Sequence, residues 1–182
     1  MADYQTTVTN LNLVRGSGKV EVAPYTTGDP SWIDVGGITG LSVIENMTIA
    51  TEEYDNAVFS KTVSKQEVTI AFTQLEILNL DVWEVVRGIN LDTITMESQT
   101  VKIQSGNKST LPNFMVRVTT KNDDNGPIYF IAYYCQINKG IEFAYQKDDG
   151  EDRRLQNPVE LIARADPGRG DLVYELEGPF NG

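Results

Sequence analysis

Apolar residues occupy every second position along several stretches of this chain. Val68, Ile70 and Phe72 are each separated by one smaller residue, and residues 114–119 repeat the alternation. Successive side chains of a β-strand point to opposite faces of the sheet, so this spacing predicts strands that are buried on one face. Residues 128–137 are nearly continuous in apolar, aromatic and β-branched residues, which predicts a central strand that is covered on both faces.

The chain contains further segments of this kind, separated by clusters of turn-forming residues. They are residues 8–14, 19–22, 41–50, 93–103, 159–164 and 172–176. There is no internal repeat and no linker rich in Pro, Gly or Ser, so residues 1–182 are expected to form a single domain. This domain is predicted to be mainly β, an antiparallel β-sandwich or open barrel with one flanking α-helix.

One segment follows a helical pattern instead. Thr73 and Glu76 fit a capping box, and Gly88 stands where a helix C-cap is expected, so a helix is predicted over about residues 74–87. One apolar stripe of this helix suits packing on a sheet. A second apolar set must cover another surface, either under a loop of the same chain or against another subunit. The members of this second set are Ile77, Leu80 and Trp83.

Histidine is absent, and Cys135 is the only cysteine. These two facts exclude catalytic triads that contain histidine, metal sites built from histidine or several cysteines, and internal disulfides. Cys135 lies in the most apolar predicted strand, where a small buried side chain is expected. We therefore expect no metal and no cofactor.

The remaining catalytic patterns also fail. Residues 16–19, Gly-Ser-Gly-Lys, resemble the end of a phosphate-binding loop, but Leu13 and Val20 stand where that motif requires Gly and Ser or Thr. A hairpin turn is the better explanation. Glu52 and Glu53 are neighbours, and neighbours in a strand point to opposite faces, so they cannot act as a carboxylate pair. No enzymatic activity is expected.

The chain carries 15 Lys and Arg against 26 Asp and Glu, a net charge of −11. This balance argues against wrapping nucleic acid through phosphate neutralisation. No stretch approaches the ~18 apolar residues that cross a bilayer, and the N-terminus lacks the features of a signal peptide. The protein is expected to be soluble, made in the cytoplasm and without membrane contact.

Charges of opposite sign are concentrated in two separate segments. Residues 41–60 contain four acidic residues and no base, whereas residues 101–121 contain four bases and no acid. Such segregation suits contacts between copies, although solvated charge is the commoner case. The segment 45–57 is predicted to be a mobile acidic loop that becomes ordered against another subunit. The candidate contact residues are Glu45, Glu52, Glu53 and Asp55 on one side and Lys102, Lys108 and Arg117 on the other.

The order of these features resembles the major tail tube proteins of long-tailed bacteriophages. The resemblance is carried by residues 31–40, SWIDVGGITG, with residues 41–44 and the segment 45–57 behind them. It continues loosely through the helix LEILNLDVWEVVRG to the terminal LVYELEG. It implies a β-sandwich with a flanking helix that forms hexameric rings. The inner sheets join into a closed barrel, and a long early loop contacts the next ring.

The resemblance also implies a function. The chain would be a structural protein of the virion tail, assembled in the host cytoplasm, with other copies and the tape-measure, terminator and baseplate proteins as partners. DNA would pass through the tube without specific binding, and an acidic lumen would repel its phosphates.

Two other functions fit the same pattern. One is a β-sandwich binding module of a phage particle, in a decoration or baseplate protein, which exposed clusters of aromatic residues would favour. Most aromatic residues here fall inside predicted strands or the helix. The other is the inner tube of a contractile tail, bacteriocin or secretion apparatus.

Overall fold

The computed structural model describes residues 3–16, 18–53, 59–75, 79–88, 95–97, 100–102, 110–120, 126–139, 144–147 and 153–178. Strands account for most of this part of the chain. They are β1 (Asp3–Gly16), β2 (Gly18–Pro24), β3 (Ile33–Asp34), β4 (Ile38–Glu53), β5 (Phe59–Gln74), β6 (Thr95–Glu97), β7 (Thr100–Lys102), β8 (Phe114–Thr120), β9 (Ile128–Ile137), β10 (Ala144–Lys147), β11 (Arg153–Ala163) and β12 (Tyr174–Glu177). Within the same residues the α-helix is α1 (Leu80–Arg87), and Pro167–Arg169 forms one 3-10 turn.

The main sheet is antiparallel and open. Its strands follow the order β1-β4-β5-β11-β9-β8-β2-β3, while β10 pairs with β11 and β12 pairs with β9. Strands β6 and β7 form a separate two-stranded hairpin, so the single strand predicted over residues 93–103 is wrong. The predicted class, a mainly β antiparallel protein with a flanking helix, is confirmed.

Side chains alternate between the core and the other face of the sheet. On β5, Val68, Ile70 and Phe72 are buried, and the residues between them are half-buried, as their spacing predicts. Strand β9 pairs with β8 on one side and with β11 and β12 on the other, which confirms its central position. Its second face is only partly covered, because the residues between its buried side chains remain half-buried.

The sheet curls until β4 approaches β2. A Cβ on Gly18 would lie 2.9 Å from Leu41 Cδ2 and 2.9 Å from the Thr119 carbonyl oxygen. Strand β1 pairs with β4, whereas β2 pairs with β8 and β3. The hairpin predicted at residues 16–19 is therefore wrong. Gly18 is required by the close approach of Leu41 and Thr119 rather than by a tight turn between paired strands.

The helix begins later than its sequence pattern predicts. Asn79 is its N-cap, with its side-chain oxygen accepting from Val82 N at 3.4 Å, and Gly88 ends it with φ 58°. Thr73 and Gln74 lie in β5, where they pair with β4 on one side and β11 on the other. The predicted start at about residue 74 is wrong because two ladders of backbone hydrogen bonds replace the helical ones.

The prediction of an acidic loop over residues 45–57 is also wrong for residues 45–53. These residues belong to β4 and pair with β1 on one side and β5 on the other, so β4 is an inner strand along this stretch. Residues 54–57 lie outside the described residues.

Candidate assembly surface

Three strands continue beyond the core of the protein. We call this extension the outer ribbon; it comprises residues 3–10 of β1, 46–53 of β4 and 59–67 of β5. On β5 the alternating burial stops at Val68, and residues 61–66 are exposed without interruption. A strand that lies on a core buries every second side chain. Along residues 61–66, neither face of β5 is covered by a core.

The outer ribbon also has two free edges within the part of the chain that the structure describes. Strand β1 pairs with β4 on one side and with no described strand on the other. Strand β5 pairs with β11 only through residues 68–74, so residues 59–67 have no described partner on that side. An unpaired strand edge is a template for pairing with another chain.

The predicted acidic contact residues separate into two groups. Glu45 is only 4% exposed, and its carboxylate accepts hydrogen bonds from Gln66 Nε2 and, at 3.4 Å, from the Tyr174 hydroxyl. It is thus engaged inside the subunit. Glu52 and Glu53 lie at the far end of β4, in the outer ribbon. Asp55 lies outside the described residues.

The predicted bases separate in a similar way. Arg117 Nε donates to Glu21 Oε2 at 2.7 Å, and the guanidinium lies 4.7 Å from the Trp32 ring centre and 5.5 Å from that of Tyr129. Arg117 is therefore held by its own subunit. Lys102 ends β7, and Lys108 lies outside the described residues.

Glu21 is the centre of this internal charge cluster. Its side chain is 9% exposed, and Lys19 Nζ lies 2.9 Å from its Oε1 and 3.2 Å from Asp34 Oδ2. Burial alone would raise the pKa of Glu21, but the hydrogen bonds from Arg117 and Lys19 outweigh it and hold the pKa below its usual value.

The second apolar set of the helix is covered, at least in part, by its own chain. Trp83 is 7% exposed and lines a small cavity between α1 and the sheet, together with Val22, Phe72 and Val159. Leu80 is half-buried, and Ile77 lies outside the described residues. Trp83 is therefore covered by its own chain and does not need another subunit to bury it.

Sequence reasoning missed one buried cluster. Asp166 is fully buried; its Oδ1 accepts from the Tyr25 hydroxyl at 2.7 Å, and Arg169 Nε lies 3.5 Å from its Oδ2. The Arg169 guanidinium stacks on Tyr133 at 4.2 Å. This cluster fastens the turn before β12 to the loop after β2 and to β9. No local sequence pattern predicts this cluster, because Tyr25 and Asp166 are separated by 141 positions.

The described residues give little support to metal binding or to a reactive thiol. They contain no group of three or more His, Cys, Asp or Glu side chains that could hold a metal ion. Cys135 is fully buried, and burial raises the pKa of its thiol well above the ordinary value. This confirms the interpretation of Cys135 as a small buried side chain.

Aromatic residues are not displayed as a binding platform where their side chains are described. Each of these side chains is buried or half-buried. They are Tyr25, Trp32, Phe72, Trp83, Phe114, Tyr129, Phe130, Tyr133, Tyr134 and Tyr174.

Comparison with known proteins gives no family assignment. No protein-family model matches the chain, and a search of curated proteins finds no match. The described part of the chain contains no helix with the length and apolar character needed to span a membrane. Among the described features, the outer ribbon is the one that indicates a function.

Proposed function

We propose that this chain is a structural protein that assembles into rings, and that these rings stack into the tail tube of a long-tailed phage. The observation that carries the proposal is the outer ribbon, which extends past the subunit core and has two edges that no described strand pairs with. The resemblance of residues 31–40 to tail tube proteins supports the same function.

Ring formation would cover the exposed residues of the outer ribbon and pair its edges, which a single subunit does not do. Residues 61–66 are exposed without alternation, and cover from neighbouring copies restores the burial that a long β-ribbon normally has. Head-to-tail contacts around a closed rotation can pair both free edges of the outer ribbon with edges of the neighbouring copies. The acidic composition suits a lumen through which DNA slides, because a negative wall repels phosphate.

The composition of the outer ribbon agrees with this role. It is rich in Thr, which favours strands, and it also contains Ser; neither side chain builds an apolar surface. Among the ribbon residues whose side chains are described, Val63 is the exposed large apolar one, with 51% of its surface accessible. A polar ribbon of this kind suits a water-filled channel better than a membrane or a dry core.

The test compares two matched variants, Val63→Asp and Leu172→Asp. Both side chains are exposed and apolar, at 51% and 37%, but Leu172 lies outside the outer ribbon and outside the base-rich segment 101–121. Sedimentation and negative-stain electron microscopy over a range of protein and salt concentrations provide the readout. We expect rings or tubes from the wild type and from Leu172→Asp, and their loss in Val63→Asp without a change in subunit melting temperature.

A wild-type protein that stays monomeric under every condition would contradict the proposal. Assembly that Val63→Asp leaves intact would show that the outer ribbon is not the contact surface. A sheath protein that coats the assembled tube would point to the contractile-tail version of the same function.

A further inference from the structure

We propose that the free edge of β1 in one copy pairs with the free edge of β5, residues 59–67, in the next copy, and that the two strands run parallel. This inference rests on the proposed ring and names the two edges that close it.

Edge length selects these two partners. Strand β1 has 14 residues with one side unpaired by any described strand. Among the other described edges, β10 and β12 have 4 residues, β6 and β7 have 3 and β3 has 2, whereas β5 is free over residues 59–67. Only the β5 edge offers a ladder of comparable length to β1.

The register places both edges at the same height. Glu53 of β4 pairs with Asp3 on one side and with Phe59 on the other. Met47 pairs with Thr9 on one side and with Gln66 on the other. Copies related by rotation alone therefore bring the two edges together, apart from the shift that strand tilt introduces in a barrel.

The direction of the contact follows from the same pairings. Strands β1 and β5 are both antiparallel to β4, so they run in the same direction. When subunits repeat around a ring, the junction between β5 of one copy and β1 of the next is parallel.

The sequence of β1 agrees with a paired edge. Monomeric proteins protect an edge strand with Pro, Lys, a bulge or short length. Residues 3–14 of β1 contain neither Pro nor Lys, and the irregularity in its pairing with β4 lies between Asn12 and Val14, away from the outer ribbon. The β5 edge is less open by the same criteria, because it carries Lys61 and Lys65 and an irregularity in its pairing with β4 at residues 63–65. Lys65 already pairs with Glu67 of the same edge at 2.8 Å, so the assignment rests on edge length and register and not on charge.

Disulfide crosslinking tests this assignment on the full chain. Thr7 and Val63 both lie opposite Ile49 of β4, on its two sides. Two strand spacings, about 9.5 Å, separate them within one subunit, which exceeds the reach of a disulfide. Cys135 is buried and does not compete. Any disulfide in a chain that carries Thr7→Cys and Val63→Cys therefore joins two copies.

The experiment scans cysteine along residues 4–9 of β1 against Val63→Cys, oxidising each variant after assembly. We expect loss of the monomer band and a ladder of multimers on non-reducing gels at one position, with weaker ladders two residues away. The control scans the same β1 positions against Leu176→Cys on β12, which is 55% exposed and belongs to the rival edge.

The outcomes separate the two proposals. Tubes with a β1–β5 ladder support the edge assignment. Tubes with no β1–β5 ladder at any position, or with a ladder only in the β12 series, overturn the assignment and leave the proposed function intact. The absence of rings and tubes from the wild-type protein under every condition overturns the proposed function, and the edge assignment falls with it.

Discussion

Buried charges in this protein find their partners in distant parts of the chain. Glu21 and Arg117 are 96 positions apart, yet Arg117 Nε lies 2.7 Å from the Glu21 carboxylate, and the guanidinium lies close to two aromatic rings. Removing the base leaves a buried carboxylate with Lys19 as its remaining cation. Such a carboxylate is costly because it has lost solvation without full compensation.

We predict that Arg117→Ala lowers the free energy of unfolding by about 2 kcal/mol, since a charge-assisted hydrogen bond and the packing on Trp32 are both lost. Urea denaturation measures the change. The control is Lys139→Ala, because Lys139 pairs with Glu160 at 3.4 Å and the two side chains are 62% and 26% exposed. That variant should lose less than about 1 kcal/mol. Equal losses of stability in the two variants would mean that the burial of Glu21 does not set the cost of removing its partner.

The pH dependence of stability follows from the same cluster. The pKa of Glu21 is lower in the folded state than its ordinary value of 4.5. Its contribution is therefore present above about pH 4.5 and is lost as the pH falls through the folded pKa. We expect Glu21→Gln to be less stable than the wild type at pH 7 and to lose less stability between pH 5 and about pH 3. Denaturation curves at several pH values would contradict this if both proteins had the same slope.

At the scale of secondary-structure elements, the helix is joined to the sheet by its buried face. Trp83 is 7% exposed, whereas Leu80, one turn earlier, is half-buried. We predict that Trp83→Ala lowers the free energy of unfolding by about 3–5 kcal/mol, and that Leu80→Ala costs about 1 kcal/mol. Chemical denaturation of the dispersed subunit provides the measurement. Unchanged stability together with lost assembly would instead place Trp83 between subunits.

The contact between β2 and β4 depends on the absence of a side chain at residue 18. A methyl group there would meet Leu41 and the Thr119 carbonyl at 2.9 Å, and the carbonyl belongs to the β8 backbone. We expect Gly18→Ala to lower the free energy of unfolding by about 1–3 kcal/mol. Gly28→Ala is the matched control, because its nearest neighbour would be Thr26 Oγ1 at 3.7 Å. A neutral Gly18→Ala would mean that the curled sheet adjusts freely at this point.

At the scale of the whole molecule, we predict that the acidic end of the outer ribbon takes part in the contact between stacked rings. Glu52 and Glu53 end β4, and the base-rich segment 101–121 keeps Lys102 and Lys108 as candidate partners once Arg117 is assigned to its own subunit. We expect Glu52→Lys with Glu53→Lys to slow or prevent ring stacking while the subunit fold is retained, and added salt to weaken the wild-type contact.

The control for this reversal has the same change in charge. Asp29 and Glu84 are both exposed and lie outside the outer ribbon, and Asp29→Lys with Glu84→Lys should stack as the wild type does. Light scattering during assembly and electron microscopy of the products measure both variants. Equal inhibition by the two reversals would assign the effect to net charge rather than to the end of the outer ribbon.

Features that depend on near neighbours along the chain could be predicted from the sequence. Alternation at Val68, Ile70 and Phe72 predicts one buried face of β5, because the period of a strand is set by local geometry. Gly88 marks the end of the helix because the left-handed conformation of a C-cap favours glycine. The burial of Cys135 follows from the apolar strand around it.

Features that depend on partners distant along the chain could not be predicted, because no local pattern encodes those partners. The helix starts at Leu80 because β4 and β11 hydrogen-bond Thr73 and Gln74 from both sides, and that competition is invisible to a local capping motif. The sequence predicts a strand over residues 41–50, which β4 confirms, but the pairing with β1 and β5 is what makes residues 45–53 an inner strand instead of a loop. Arg117 is bound to Glu21, and Glu45 is bound to Gln66 and Tyr174. The charge pattern of the sequence could not predict these contacts, because it gives the sign of each side chain and not its partner.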